Sequence, residues 1–396
     1  MSKQAGRRQD IWACLFLFSF CLVLLRPGDP LNFLLFLPGY FFPLRYTGKI
    51  RPLYLWLGWA FFSALLAPEF PPSLHVFGQE CMIATTGFYA GLYGRQDRRW
   101  VWGLILVGFL MAGLIFIQAA MAPPYPLSWA HPAERLLLPF RVTGLWKNPN
   151  RTGLFLALLL PLLGAVLEET DGHWRRLLLP GVLFALAVPA LLFTYSRTAW
   201  TAALASLVFY WGRREKGNLR RLFCLVLLLI GFFPSLVARL GPNPFQSATL
   251  RYRFLIWQET WALVQKYPLT GGGGSELRLA LRSLRADHAH NHYLQLAAEK
   301  GLPVLLLFTG LVFRILRIPF RPKGPREDCC LQRGMQGALV GQLVAGLTES
   351  LWVVPLDLFL FWFGFAFITA EEKPVTIEQP GGTTDEGDAG SEGRFL

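Results

Sequence analysis

The chain has 396 residues, of which 53% are hydrophobic and only 16% are charged, and its formal net charge is +13. Soluble domains carry about 25% charged residues, so the composition is not that of an ordinary soluble enzyme. Apolar runs of about 20 residues recur along the chain, which is typical of membrane-spanning helices and too long for barrel strands. The sequence therefore predicts an all-α polytopic membrane protein.

Twelve apolar segments have the length and composition of membrane spans. The predicted spans are residues 11–25, 31–44, 53–67, 75–93, 100–121, 152–168, 177–195, 198–212, 222–238, 302–319, 334–349 and 352–371. The first span is followed by Arg-Pro-Gly-Asp-Pro rather than by small residues, so it does not resemble a cleaved signal peptide.

Basic residues divide the connections between these spans into two sets. With the N-terminus in the cytoplasm, the even-numbered connections carry most of the arginines and lysines, as cytoplasmic loops do. The two longer connections on the other side are residues 123–151 and 239–301, and the second can contain short helices. We expect a membrane domain over residues 1–371 and a disordered cytoplasmic tail over 372–396. Because the positive charge reflects topology, no nucleic-acid binding is expected.

Three of the six histidines, His288, His290 and His292, lie in the longer outer loop. Asp287 can cap a helix that ends at Gly301, and on this helix His290 would share an apolar face with the residues three, four and seven positions later. The other two histidines would lie on a polar face. Partial burial would lower the pKa of His290 and keep the imidazole neutral, the form that a general base needs.

The same histidines allow two other interpretations. His288 and His292 lie four residues apart and could bind zinc with Asp287, although no cysteine pair or His-Glu-x-x-His pattern completes such a site. The imidazoles could also have a purely structural role at the water interface.

Two segments that contain arginine lie at span ends on the outer side. Arg141 and Asn150 belong to the segment before the sixth span, where Asn148-Pro-Asn predicts a turn that caps the helix. This segment is either a simple helix start or a polar corner that faces a sugar or phosphate. Arg197 lies in a connection of a few residues, where an arginine is costly unless it pairs or snorkels. A structural ion pair and an anion ligand are both compatible with its position.

The loop 239–301 holds two further arginines, Arg251 and Arg253, before a run of four glycines. Glycine permits sharp turns and close approach of a ligand, but no Gly-Lys-Ser/Thr follows, so a nucleotide P-loop is not indicated. By itself, this segment predicts an amphipathic surface helix and a flexible loop. Two carboxylates, Glu349 and Asp357, fall at or within the last two spans, where a charge favours a paired or functional role.

Taken in order, these segments resemble the O-antigen ligase and polymerase superfamily of bacterial envelope glycan enzymes. The resemblance covers roughly residues 140–302 and depends on the order of the motifs rather than on any single one. The residues that carry it are Arg141, Gly144, Asn148–Asn150, Ser196, Arg197, Arg253, Trp257, Pro268, Gly271, Gly273 and the segment from His290 through Glu299 and Gly301.

The resemblance implies a multi-pass glycosyltransferase of the bacterial inner membrane, surrounded by membrane lipids, with its site on the periplasmic face and no metal or other cofactor. Such enzymes move a glycan from undecaprenyl diphosphate to an acceptor, here expected to be lipid A-core or a related envelope glycan. By motif, His290 becomes the catalytic base, with His288 as its rival. Arg197 and Arg253 become diphosphate ligands, with Arg251 as the rival of the second. The supporting candidates are Arg141, Asn150, Asn291, Glu349 and Asp357.

Two other functions stay open at this point. A polymerase that lengthens the lipid-linked glycan needs the same diphosphate site, so the sequence does not separate it from a ligase. An anion or glycan transporter would account for Arg197 and Asp357 in or near the membrane. It would not account for the histidine-bearing loop 239–301.

Overall fold

The computed structural model describes residues 18–26, 46–47, 50–122, 140–169, 174–212, 248–318 and 326–372. Within these ranges the chain forms α-helices, three short 3₁₀ turns and one antiparallel pair of two-residue strands, β1 (Tyr46–Thr47) and β2 (Glu371–Glu372). The helices are α1 (residues 18–25), α2 (Arg51–Leu66), α3 (Phe70–Gln96), α4 (Arg99–Met121), α5 (Pro149–Glu169), α6 (Trp174–Phe193), α7 (Arg197–Gly212), α8 (Ala248–Lys266), α9 (Gly273–Ala280), α10 (His292–Lys300), α11 (Leu302–Arg317), α12 (Arg326–Ala345) and α13 (Pro355–Thr369). The predicted helical class is confirmed for these residues.

Ten of the twelve predicted spans coincide, wholly or in part, with described helices. The other two, 31–44 and 222–238, lie outside the described residues, as does the predicted tail beyond residue 372. Among the described helices, α4 and α5 are each long and apolar enough to cross a membrane by length and composition. The number of spans and their orientation stay predictions.

Glycines let α3 and α13 pack with their backbones in contact. A Cβ atom at Gly87 would lie 2.5 Å from the carbonyl oxygen of Phe359, and one at Gly91 would overlap the carbonyl of Phe363. Small residues at such spacing permit the close approach that is common between membrane helices. The contacts advance in the same direction along both helices, so α3 and α13 run parallel. Helix α13 is buried from residue 356 to 369 and forms part of the centre of the fold.

Glycines on α12 make similar contacts with α5 and α7. A Cβ atom at Gly334 would lie 2.8 Å from the carbonyl oxygen of Pro161, and one at Gly341 would lie 2.8 Å from that of Ala202. The start of α12 therefore lies against the second half of α5, and its end lies near the start of α7. Helix α12 runs antiparallel to α5 and α7.

These directions give the bundle two distinct ends. At one end, Glu168 accepts a hydrogen bond from Tyr210 at 2.6 Å and pairs with Arg333 at 2.8 Å. At the other, which we call the upper end, α5, α7 and α13 begin and α12 stops, and a hydrogen bond of 2.9 Å joins Thr198 to Thr348. A 20-residue helix is about 30 Å long, so the two ends are well separated.

Residues 248–301 form a helical unit beside the upper end. Its small apolar core is made by Ile256, Leu263, Val264, Leu277, Leu281, Ala286, Ala297 and Ala298. The prediction of short helices in the loop 239–301 is confirmed for its described part. A buried ion pair of 2.6 Å between Lys300 and Glu80 joins the unit to α3.

The glycine run is a packed turn rather than the flexible loop that the sequence predicts. Gly271 has a φ of +71°, and a Cβ atom there would overlap the backbone of Glu299 and Lys300. The N–H of Gly272 donates to the carbonyl of Ala298 at 2.8 Å. The close approach that glycine permits is therefore used against the end of α10, inside the protein.

Candidate active site

Glu349 is the centre of a polar cluster at the upper end. It lies in the turn after α12, and its side chain is 15% exposed. Its Oε1 accepts a hydrogen bond from Nδ2 of Asn150 at 2.9 Å and lies 3.2 Å from a guanidinium nitrogen of Arg253. Its Oε2 lies 3.7 Å from Nδ1 of His290. Side chains from three separate segments therefore meet at the carboxylate of a fourth.

The start of α5 supports one side of this cluster. The side chain of Asn148 accepts hydrogen bonds from the N–H groups of Asn150 at 3.0 Å and Arg151 at 3.3 Å, as the Asn-Pro-Asn turn predicts. The buried Arg141 donates to Oδ1 of Asn150 at 3.0 Å. Because an amide has one acceptor side and one donor side, this bond directs the NH₂ group of Asn150 toward Glu349.

His290 is held by an unusual backbone conformation rather than by a helix. The predicted helix start at Asp287 is wrong, because α10 begins two residues after His290, whose φ of +48° lies in the left-handed region. Asn291 is the N-cap, since its side chain accepts hydrogen bonds from the N–H groups of Tyr293 and Leu294. The predicted stop at Gly301 is confirmed. The imidazole of His290 is 26% exposed and faces Glu349.

Backbone contacts fasten this histidine segment to the turn that carries Glu349. The side chain of Asn291 donates to the carbonyl of Leu347 at 3.2 Å. The N–H of His292 donates to the carbonyl of Gly346 at 2.7 Å. The position of His290 relative to Glu349 is therefore set by the main chain on both sides of the contact.

His292 is the buried histidine of the segment, contrary to the predicted polar face. It is 1% exposed, and its ring centroid lies 4.7 Å from that of Trp352 and 5.1 Å from that of Phe308. Neither ring nitrogen has a hydrogen-bond partner within the described residues. Burial lowers the pKa of His292 to about 3, so the ring is neutral at pH 7. Its position is structural, and it does not form the zinc pair considered with His288.

His288 packs against His290, with 4.1 Å between the ring centroids and 62° between the ring planes. Burial, assisted by the neighbouring His290, lowers the pKa of His288 to about 4. His288 is therefore neutral at pH 7. Its ring packs against His290, whose Nδ1 faces Glu349, and this packing holds it in place.

The surroundings of Glu349 favour its ionised form. Burial alone would raise the pKa of Glu349, but the contact with His290 and the positive charge of Arg253 outweigh burial and lower it to about 2. At pH 7 the carboxylate is therefore charged, and it compensates the charge of Arg253.

The two rival arginines of α8 lie in different surroundings. The side chain of Arg253 is 16% exposed and reaches Glu349, whereas Arg251 is exposed. Residues two positions apart on a helix point to different faces, so only one of the pair can face the cluster.

The other predicted residues also lie at the upper end. Arg197 is the first residue of α7 and is half-buried, and the preceding Tyr195 has a left-handed φ of +51°. Arg197 lies beside the turn that carries Glu349, because the adjacent Thr198 forms a hydrogen bond with Thr348 of that turn. Asp357 lies in the first turn of α13 and is buried.

His288, His290 and Glu349 could together hold a metal ion. Each offers one ligand atom, and the three atoms lie within 4.8 Å of one another. However, the guanidinium of Arg253 already lies 3.2 Å from the same carboxylate, and it would repel a second cation there. The geometry fits a carboxylate that orients an imidazole better than it fits a metal site.

Arg151 is the residue at this site to which the sequence analysis assigned no role. It is half-buried in the first turn of α5, and its charge acts on both His288 and Asp357. The available signal was the Asn-Pro-Asn turn, since a residue next to Asn150 must lie at the same end of the helix.

Four helices, α5, α7, α10 and α13, begin around the cluster. The N-terminus of a helix carries a partial positive charge and free N–H groups, which favour an anion. The guanidinium groups add full positive charges. The site as a whole therefore has the electrostatic character needed to bind an anionic substrate beside an imidazole.

Comparison with known proteins finds one family that matches part of the chain. Residues 182–309, about a third of the chain, match the family model described as O-antigen ligase. Arg197, Arg253 and His290 fall within the matched part, whereas Glu349 lies outside it. The resemblance to the O-antigen ligase superfamily is thereby confirmed, and the family indicates a membrane protein of glycan or lipopolysaccharide biosynthesis with glycosyltransferase activity in the broad sense. No curated protein sequence matches the chain.

Proposed function

We propose that this protein transfers an oligo- or polysaccharide from undecaprenyl diphosphate to lipid A-core or a related envelope acceptor, without a metal and with inversion at the anomeric carbon. The observation that supports the proposal is the contact of Glu349 with both His290 and Arg253 at one end of a helical bundle. In the proposed orientation, this upper end lies at the periplasmic face of the inner membrane and both chain termini lie in the cytoplasm.

In the proposed reaction, His290 is the general base. Its Nδ1 faces Glu349, so Nε2 is the nitrogen that can take the proton of the acceptor hydroxyl. The ionised Glu349 orients the ring and stabilises the imidazolium as it forms, as a carboxylate does in a catalytic triad. The acceptor oxygen then bonds to the anomeric carbon from the side opposite the diphosphate, which predicts inversion.

The bond from the anomeric carbon to the diphosphate oxygen breaks in the same step, and its electron pair stays with the departing undecaprenyl diphosphate. The leaving group therefore gains negative charge. Arginines at low local dielectric, here proposed to include Arg197 and Arg253, stabilise that charge together with the helix N-termini. No metal is required for this stabilisation.

A deletion strain tests this function and separates it from its alternatives. Loss of a ligase leaves bare lipid A-core and long carrier-linked chains, which a gel of lipopolysaccharide and lipid-linked glycan resolves. Loss of a polymerase instead leaves core that bears a single repeat unit. Bare lipid A-core together with carrier-linked glycan trapped at the cytoplasmic face would instead indicate a transporter and contradict the proposal.

The purified full chain in proteoliposomes tests the metal-free chemistry. We expect transfer from the lipid-linked donor to persist after treatment with a strong chelator. Transfer that is lost on chelation and restored by added Zn²⁺ would assign His288, His290 and Glu349 to a metal site instead.

A further inference from the structure

Beside the cluster, the guanidinium of Arg151 has no acceptor among the described residues. We propose that Arg151 binds the diphosphate of the donor, and that Arg253 chiefly holds Glu349 in place. This inference rests on the proposed function, but it reassigns the main anion ligand from the arginine that the family motif indicates.

Two of the neighbouring arginines already have acceptors within the protein. Arg253 lies 3.2 Å from the carboxylate of Glu349, and Arg141 donates to Asn150 at 3.0 Å. Arg197 also has an interaction of its own within the protein. In the described part of the chain, the guanidinium of Arg151 makes neither a hydrogen bond nor an ion pair.

The position of Arg151 places its charge near the site, because the adjacent Asn150 donates to Glu349. Its backbone N–H is fixed by the side chain of Asn148 at 3.3 Å, which places the residue in the first turn of α5. Its charge acts on His288, which packs against His290, and on the buried Asp357, with which it forms no ion pair. The charge therefore lies near both the imidazole pair and the start of α13.

A guanidinium cannot lose its proton in a protein, so a half-buried one without a protein acceptor is well placed to receive an oxyanion in place of water. The carboxylate of Glu349 offsets the charge of Arg253, and the charge of Arg151 is not offset in this way. As the glycosyl bond breaks, the diphosphate gains negative charge, and Arg151 can meet it with two parallel hydrogen bonds.

Chemical protection tests this inference on the unaltered protein. The full chain in phosphatidylcholine nanodiscs is treated with phenylglyoxal, which modifies guanidinium groups, and modified peptides are quantified by mass spectrometry. We expect undecaprenyl diphosphate to slow modification of Arg151 at least fivefold, whereas uncharged undecaprenol leaves it unchanged. The exposed Arg282, which is not a candidate ligand, is the internal control and should react equally in all samples. Equal rates at Arg151 with and without undecaprenyl diphosphate, or equal protection by phosphatidylglycerol, would overturn the inference.

A matched pair of variants measures the contribution to binding. We expect R151Q to weaken the binding of undecaprenyl diphosphate about tenfold or more and to leave undecaprenol binding unchanged, while R282Q, at an exposed position, changes neither. A folded R151Q protein that binds the diphosphate lipid as tightly as the wild type would refute the assignment. Because this readout is binding, it separates the role of Arg151 from the question of whether the protein transfers glycans at all. If R151Q fails to fold, the protection experiment alone decides.

Discussion

Replacement of Glu349 by glutamine isolates the charge at the centre of the site. Glutamine has nearly the same shape, and its Oε1 can still accept the hydrogen bond that Asn150 donates at 2.9 Å. What disappears is the negative charge beside Arg253 at 3.2 Å and His290 at 3.7 Å. The pKa of Glu349 is lowered to about 2 from an ordinary 4.5, and each tenfold change in proton affinity corresponds to about 1.4 kcal/mol. The Glu349→Gln variant should therefore be less stable than the wild type by about 3 kcal/mol at pH 7.

The sign of the pH dependence follows from the lowered pKa. The unfolded chain binds a proton at Glu349 below pH 4.5, whereas the folded protein does so only near pH 2, so the stabilisation is complete above pH 4.5 and is lost as the pH falls toward 2. The difference between the wild type and Glu349→Gln should shrink to about 1 kcal/mol at pH 3.

Denaturant unfolding of the purified full chain in detergent, followed by tryptophan fluorescence at pH 7, 5 and 3, measures both quantities. Glu259→Gln, at an exposed position on α8, is the matched control and should lie within about 0.5 kcal/mol of the wild type. Equal stability of Glu349→Gln and the wild type at pH 7 would show that the ion pair contributes nothing. A difference that stays constant down to pH 3 would show that the carboxylate is not the titrating group.

Three further predictions concern single residues. His290→Asn, which keeps a side chain that tolerates the left-handed backbone, should reduce glycan transfer about a hundredfold or more while donor binding stays within about threefold; transfer close to the wild-type rate would exclude His290 as the base. His292→Leu should match the wild type in stability within about 1 kcal/mol at pH 7, because it removes two unpartnered ring nitrogens. At pH 4 it should be more stable than the wild type by about 3 kcal/mol, since the wild type loses stability as the pH falls from 6.5 toward the lowered pKa of about 3. Parallel pH profiles of the two proteins would contradict this. Gly91→Ala, whose Cβ overlaps the carbonyl of Phe363, should lower stability by about 1–3 kcal/mol. Gly58→Ala, whose Cβ meets no atom within 4 Å, should not lower it. Equal melting temperatures of the two variants would contradict the packing of α3 on α13.

The helices were predictable because length and apolar composition are local properties of the chain. Most predicted spans lie within a few residues of described helices, and the Asn-Pro-Asn turn caps α5 as the residue types indicate. The helix around His290 was predicted wrongly at its start, since both Asp287 and Asn291 are good N-cap residues. Asn291 caps the helix because it also reaches the carbonyl of Leu347, and that contact lies 56 positions away in the sequence.

The composition of the site was predictable, but its arrangement was not. The sequence indicated that His290 and Arg253 act together, and it left open which arginine of α8 takes part. Only the packing of α8 beside the upper end turns one of the pair toward Glu349. Glu349 itself was only a supporting candidate. Nothing in the local sequence pattern of α12 shows that side chains from three other segments contact the turn after this helix.

Three left-handed residues that are not glycine lie around this site, each in a different segment: Lys147 before α5, Tyr195 before α7, and His290 before α10. Such a conformation costs on the order of 1 kcal/mol or more for a residue with a Cβ atom, so each persists only because surrounding contacts require it. Each of these residues lies where the chain reaches the upper end and turns, so that the next helix begins with its N-terminus at the cluster. The strain therefore follows from bringing several helix starts to one point. The same convergence supplies the N–H groups and positive charge that a diphosphate requires, and the caps at Asn148 and Asn291 offset part of the unfavourable backbone energy.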